Sequence, residues 1–536
     1  MPEYLAPGVY IEEVATGPVP IEGVSTSTSG MVGQTERGPT AVTLVTSFTQ
    51  YQRWFGGLID VGVSFLPFAA QGFFANGGQR LFIARVVGVG ALPAAAPIGG
   101  GNLTLTAIGP GNWGNHLFFR IQASSLQKKD VTGASSPVGF RITIIYYATL
   151  PPLPLVDPFD TSALTDPARR PNRRDPDAVE DYDNLRIDSN DPEYVLTAIN
   201  GSSQLIQVAL TNSANPVTIP AAAPFTQMTG GAEPAAATET EYIGTVSLTK
   251  SPDQRLGLAA LDTIDEISLL SVPDEVRFPN VTPEIITQCE RRKDRFAVMQ
   301  VAEGKGLVQN IRPPEDTSYA AFYAPWIRVF NPTNGDYPLV PPGGHIMGIY
   351  ANTDVERGVH KAPANYEIAG MVIRDIDSTR KPLEFAFTKG EQDILNPRGV
   401  NAIMDFRSHG RGIRVWGART MSTDGQWRYI NVRRLFIFVE QSIDRGTQWV
   451  VFEPNDDTTW ARVKRSLSNF LTSVWRSGAL MGTTAEEAFF VKCDRTTMTQ
   501  DDIDNGRLIC LVGIAPVKPA EFVIFRFSQK TIEAQQ

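Results

Sequence analysis

Residues 521–527 read EFVIFRF. A strand sends alternate side chains to opposite faces. Phe522 and Ile524 therefore share one face, and Val523, Phe525 and Phe527 share the other. A strand that is apolar on both faces needs cover on both sides, yet this one lies at the end of the chain, where chains ordinarily fray. The opposite end has a similar pattern: Pro7-Gly8 precede Val9-Tyr10-Ile11, which run into Glu12, Glu13 and Val14. Two strand-forming terminal arms point to a subunit that completes its sheets with backbone from neighbouring copies. The expected inter-subunit residues are Val9, Tyr10, Ile11, Glu12 and Val14 in the N-terminal arm. In the C-terminal arm they are Phe522, Val523, Ile524, Phe525 and Phe527.

At 536 residues the chain is long enough for several domains and a large core. Its formal charge of −9 and the absence of a basic tract give no footing for nucleic acid or an anionic membrane. Cys289, Cys493 and Cys510 form no CxxC pair and are odd in number, which speaks for assembly in a reducing cytoplasm. The four histidines are scattered, without HxxxH or HExxH spacing, so no metal site is expected. The segment MPEYLAPGVYIEEV has no apolar signal core, and no stretch approaches the roughly 18 apolar residues of a membrane span.

Periodicity predicts an α/β protein with an inserted β-rich domain. After an extended arm at 1–30, strand-like segments at 31–33, 42–45 and 80–87 alternate with helical ones at 48–55 and 65–74. Ala/Pro/Gly-rich stretches at 92–101 and 216–241 read as linkers bracketing a β-rich insertion, 92–250. Within it, the Asp/Pro/Arg-crowded stretch 157–193 reads as surface loop. The α/β rhythm returns over 251–395 (helices at 254–263 and 282–295, strands at 267–272, 296–301 and 319–329), so the first core part, 31–91, rejoins a distant half. From 396 to 518 a C-terminal core is expected, Arg-rich and strand-forming at first, then helical over 457–480, with the arm at 519–536.

Motifs for chemistry are missing. There is no GxxxxGK[ST] loop and no GxSxG elbow. Ser408-His409 has no oriented acid in the sequence, and adjacent residues rarely face each other. Glu486-Glu487 and Asp501-Asp502 read as helix-start carboxylates. No catalytic residue, cofactor or enzymatic activity is expected. Interaction features are stronger. Trp460, Val463, Leu467, Leu471 and Val474 form the apolar face of the 457–480 helix, opposite a stripe of Arg462, Arg465, Asn469, Thr472 and Arg476. That stripe is either a solvated face or a docking ridge for an acidic partner. The eight arginines between 398 and 434 are expected to pair with carboxylates of this or adjacent chains.

Several segments resemble contractile tail sheath proteins. They are YLAPGVYIEEV (4–14), GPGNWGNHL (109–117), DPEYVLTAINGSSQLIQV (191–208), ERGVHKAPAN (356–365), LNPRGVNAI (395–403), WGART (416–420), WRYINVRRL (427–435), GTQWVVFEPN (446–455) and the stretch 482–531. This family includes the sheaths of contractile phage tails, R-type bacteriocins and phage-tail-like contractile injection systems. The resemblance implies an α/β fold with a sheath core domain built from N- and C-terminal portions, an outward-standing insertion and exchanged terminal arms. It implies homo-oligomeric partners in a helical sheath, an inner tube protein, baseplate and cap proteins, and no nucleic acid or membrane insertion. It also implies that the helix at 457–480 faces the inner tube, which would make Arg462, Arg465, Asn469 and Arg476 the docking residues. The segment 493–508 running into APVKPAEFVIF is similar to injection-system sheaths, with a phage virion tail as the alternative. An insertion with a hydrolytic or surface-binding activity is a lower alternative; residues 102–214 offer no nucleophile or metal constellation for the former.

Overall fold

The computed structural model describes residues 20–100, 102–129, 133, 135–244, 255–304 and 307–527. The described residues divide into two compact units, one of Thr26–Glu356 with Pro363–Ile430, the other of 20–25, Arg357–Ala362 and 431–527.

The larger unit is organised by an eight-stranded sheet. β1 (Ser29–Gly33) pairs parallel with β3 (Leu81–Arg85), and β2 (Thr43–Val45) closes that edge antiparallel to β3. The connection carries α1 (Phe48–Phe55), capped by the Ser47 side chain accepting from the Gln50 amide, and α2 (Leu66–Ala75), with Pro67 in its first turn.

The insertion follows. It comprises β4 (Ala95–Ile98), β5 (Leu103–Ala107), β6 (Leu117–Ala123), the small hairpin β7 (Gln127–Lys129) and β8 (Ser135–Pro137), β9 (Phe140–Tyr146), β10 (Ala178–Leu185), α3 (Val195–Asn200), β11 (Ile206–Leu210) and β12 (Ala223–Gln227). Two antiparallel sheets, ordered β10-β9-β6-β12 and β11-β5-β4, share a core that includes Leu105, Phe119, Ile142, Ile144 and Ile206.

The chain returns through α4 (Glu239–Ile243) and α5 (Gly257–Leu261) to β13 (Leu269–Ser271), α6 (Val281–Arg292), β14 (Phe296–Gln300) and β15 (Ala320–Ala324). A short pair, β16 (Ile327–Arg328) and β17 (Leu339–Val340), leads to α7 (Gly343–Arg357), α8 (Lys389–Leu395), β18 (Val400–Asp405) and β19 (Ile413–Trp416). The sheet order is β19-β18-β15-β14-β13-β1-β3-β2, parallel throughout except at its two edge strands. Every residue of β1, β14 and β15 is buried, as expected of central parallel strands covered on both faces.

In the smaller unit α9 (Ile430–Gly446) and α10 (Asp457–Arg476) share a core with α11 (Ala485–Ala488) and a two-stranded ribbon, β20 (Phe489–Lys492) and β21 (Leu511–Ile514). The ribbon's connection contains α12 (Gln500–Asp504). Leu435 and Val439 of α9 meet Trp460, Val463, Leu467, Phe470, Leu471 and Val474 of α10 in that core.

The structure corrects the sequence reading in several places. The stretch 92–101 is no free linker: β4 lies in it, its inward Ala96 and Ile98 buried against β5. Likewise β12 and α4 occupy parts of 216–241. The stretch 157–193 contains β10, an edge strand whose acidic residues Glu180, Asp181 and Asp183 suit a solvent-facing edge. Residues 400–416 supply β18 and β19 to the large sheet, so the division between units falls at Asn431 and not at 396. The segment around WRYINVRRL runs into the α9 helix, where strand was expected. The arginines there are satisfied by backbone carbonyls as well as carboxylates. Arg407 pairs with Asp405 and Asp375, and Arg433 with Glu440, while Arg398 donates to Val308 O and Arg414 to Asn365 O.

Candidate functional site

The features that set this chain apart from a closed globular domain converge on the ribbon and the arm that follows it. β20 and β21 pair antiparallel from Phe489↔Ile514 to Lys492↔Leu511. One side of the ribbon reaches the core through Val491, while Phe490 and Leu511 are 54% and 51% exposed. Opposite Phe490 stands Gly513, where a Cβ would collide with the Phe490 ring; the glycine lets the aromatic ring lie flat across the ladder. Among the described residues no third strand joins this sheet, so the ribbon presents open edges. An isolated hairpin is marginal in water; here its inner face is stabilised by α10 and α11.

Past β21 the chain stays tethered for three more residues. Ala515 N donates to Ala488 O, Met481 N to Ala515 O and Val517 N to Ala479 O, and the Asn431 side-chain amide donates to Val517 O. Beyond this, Phe522, Val523, Ile524, Phe525 and Phe527 are 71%, 69%, 77%, 76% and 95% exposed, and residues 518–527 form no helix or strand. Both faces of the arm read from the sequence are thus bare within the described chain. Val9, Tyr10, Ile11, Glu12 and Val14 lie outside the described residues. The chain is first seen where 20–25 runs along α9: Val24 N donates to Ser442 Oγ (3.1 Å), and Ile21 packs into the core beside Gly446.

On α10, Asp456 caps the N-terminus by accepting from Thr459 N (2.8 Å), and Arg476 occupies the last turn, where a cation complements the helix dipole. Arg462, Arg465, Asn469 and Arg476 are all exposed, opposite the buried Trp460–Val463–Leu467–Leu471–Val474 face. Arg462 is committed locally, 3.6 Å from Glu453 and over the Trp449 ring. Arg465 and Arg476 have no ion-pair partner among the described residues.

Other polar clusters are structural in form. Ser408 Oγ and His409 Nδ1 lie 3.0 Å apart, so these neighbours do face each other, contrary to expectation. They sit on an exposed 3-10 turn, and among the described residues no carboxylate orients the ring. Glu487 holds Thr483, and Asp502 closes a capping box on Thr499. The densest buried polar site was not legible in the sequence. Asp274 accepts from Ser64 Oγ, Phe65 N (2.8 Å) and Tyr242 OH (2.7 Å). Glu275 accepts from Gln300 N and Nε2 (2.6 Å), and burial pushes its carboxyl up to about 8. Burial also holds His345 down to about 4. Both carboxylates are shut off from solvent and tie α2, α4 and β14 together, which is architectural chemistry. Among the described residues no group of three His, Cys, Asp or Glu side chains could hold a metal ion, and no helix is long and apolar enough to cross a membrane.

Comparison with known proteins adds sequence and fold likenesses. Residues 246–421 match the phage tail sheath protein central domain, and 422–530 match the phage tail sheath C-terminal domain. The tail sheath protein of Vibrio phage KVP40 is 25% identical over 235 residues, 43% of this chain and 32% of that protein. That of Salmonella phage ViI is 23% identical over 214 residues, 40% of this chain and 32% of that one. The chain thus spans about a third of the length of these curated relatives. Among solved structures, the contracted helical sheath of the anti-feeding prophage covers 98% of this chain and 100% of its own (TM-score 0.55, 24% identity). The contracted PVC sheath complex, from an extracellular contractile injection system, covers 99% of each chain (TM-score 0.55, 22% identity).

Proposed function

This chain belongs to the phage tail sheath family, and from that premise we propose that it is the repeating subunit of a contractile helical sheath around an inner tube. The observation that carries the reading is the pairing of an open-edged ribbon with an arm whose five large apolar side chains have no cover. Strand addition satisfies both: the arm of one copy supplies backbone to the ribbon of another, and the N-terminal arm of a third copy does the same. Such contacts are heterologous and do not close, so they propagate as a helix. Each ladder hydrogen bond contributes about 0.5–1.5 kcal/mol net, and the threaded arms keep copies linked while they change packing. Contraction then draws its work from better lateral contacts, without a nucleotide or cofactor, and drives the tube through a target envelope.

The exposed Arg465, Asn469 and Arg476, with Arg462 at the stripe's start, form the surface that meets the inner tube. Baseplate and cap proteins bound the two ends of the sheath. Three free thiols fit assembly in a reducing cytoplasm before any release. The role is mechanical, and the particle an injection system; the likeness to the anti-feeding prophage and PVC sheaths over nearly the whole chain favours this over a virion tail. Electron microscopy of the purified protein tests the reading. Hollow cylinders are expected from the intact chain, and none after deletion of residues 1–20 or 519–536. Intact chains that stay monomeric would refute it. Genes for a capsid and terminase beside this one would move the particle to a virion.

A further inference from the structure

The ladder of β20 and β21 ends one residue short of a cysteine on each strand. Its last pair is Lys492 with Leu511, and the same register carried one residue further sets Cys493 against Cys510. Directly opposed residues of an antiparallel ribbon have Cα atoms about 4.5–5.5 Å apart. That lies inside the roughly 4.4–6.8 Å window of disulfides. The two thiols lie close enough to perturb each other's ionisation. Cys493 is buried in the core of the smaller unit, and Cys510 packs against the same core, half-buried. The intervening loop holds them in place without a covalent link: Thr497 Oγ1 donates to Ile509 O and Asp494 O (both 2.8 Å), and Thr499 with Asp502 caps α12.

We infer that Cys493 and Cys510 are a modification site, a dithiol that closes to an intrachain disulfide when it meets a small peroxide. The hydrogen bond from Cys510 holds the Cys493 thiol below its ordinary range, with the Lys464 ammonium of α10 adding to this, and raises that of Cys510. Cys493 is thus the nucleophile and Cys510 the resolving thiol. The Cys493 thiolate attacks one oxygen of hydrogen peroxide, breaking the O–O bond to give a sulfenic acid and hydroxide, which takes up the proton Cys493 released. The Cys510 sulfur then displaces the sulfenic oxygen as water, forming S–S. Two thiols and one peroxide give one disulfide and two waters, with two electrons passing from sulfur to oxygen. The half-buried Cys510 leaves the pair open to a peroxide, while the buried Cys493 excludes a bulky partner. Cys289 is fully buried and pushed up to about 12 by that burial, so it stands as an internal control. The bond would lock the ribbon one residue from β21, the strand that feeds the arm.

The test is peptide mapping of the full chain after hydrogen peroxide, alkylation and trypsin. Cleavage after Lys492, Arg495, Arg507 and Arg526 should give 493–495 joined to 508–526, lost on reduction, with Cys289 still alkylated. Cys510→Ser should abolish the joined peptide and leave a sulfenic acid at Cys493 that dimedone traps. Separate sulfinic acids on the two cysteines of the unmodified chain, or both thiols remaining alkylatable after peroxide, or Cys289 oxidising first, would each overturn the inference. Cylinder formation is read separately, so failure of the disulfide and failure of the sheath reading are distinguishable.

Discussion

Phe525→Ala is the substitution that best separates an unfinished arm from an ordinary frayed tail. Phe525 is 76% exposed in the isolated chain, so its removal takes little from the fold. Fully burying a phenylalanine is worth about 1.5–3 kcal/mol, and roughly three quarters of that remains to be gained on assembly. The gap left in a packed interface adds to the loss, as it does in a core, where Phe→Ala costs about 3–5 kcal/mol. About 2–3 kcal/mol per arm is therefore expected. At about 1.4 kcal/mol per tenfold, this raises the critical concentration for cylinders roughly 30- to 140-fold. The assay is sedimentation of cylinders against protein concentration, paired with a melting curve of the unassembled chain.

The melting midpoint should stay within roughly 1 °C, because a 1 kcal/mol change shifts larger domains by only about 2–4 °C. Phe522→Ala probes the other face of the arm, which also carries Arg526. A strand covered on both faces loses assembly from either substitution. Cylinders of Phe525→Ala forming at the wild-type concentration would refute the argument. So would a lower melting point with assembly intact, since that would mean the arm packs on its own molecule.

Four further outcomes follow from the same structure. Leu511→Lys, on the exposed side of β21, should block strand addition with little effect on melting, read by the same sedimentation assay. The double change Arg465→Glu and Arg476→Glu should spare the fold, as both are exposed, but abolish co-sedimentation with assembled inner tubes; the wild-type association should weaken with salt. Glu275 is neutral in the folded chain up to about pH 8 and ionises in the unfolded chain near its ordinary value, so stability should fall as pH rises from about 4.5 to 8. The loss should be on the order of 3–5 kcal/mol, and Glu275→Gln should flatten it in denaturant titrations. Gly344→Ala forces a methyl group into the Ala69 backbone where α7 crosses α2, and should cost about 1–3 kcal/mol of unfolding free energy.

Elements with a clear period were legible in the sequence, and those without one were not. α10 shows its apolar stripe at 3–4 spacing and emerges at 457–476. α7 is buried on nearly every side, so GGHIMGIYANTDVER shows no clear apolar stripe against a polar face. α9 hides because Arg433 and Arg434, both buried, fall where a surface helix would place apolar residues. β4 was masked by alanine and proline, residues that strands seldom use. Of the site, the bare arm was readable because alternation fails in it: both faces are apolar. The buried Asp274–Glu275 pair left no signal, since its donors come from residues 64, 65, 242 and 300, far apart in sequence.

Backbone accounting separates the edges of the large sheet from the ribbon. The large sheet ends in β2, only three residues long, and in β19. The free side of β19 is already occupied: Asn365 N donates to Val415 O, Val415 N to Tyr366 O and Ile368 N to Ile413 O, so a covering segment uses the groups an incoming strand would need. The β20–β21 ribbon has no such cover among the described residues, and it offers the exposed Phe490 and Leu511 as apolar footing. A run such as FVIF is itself an aggregation hazard when left bare. Lys518 and Pro519 stand before it and Arg526 within it, residue types that disfavour indiscriminate strand pairing. An edge must therefore supply matching apolar contacts as well as hydrogen bonds to win the arm. Set against the two edges of the large sheet, the ribbon supplies the exposed apolar footing that a short or covered edge lacks.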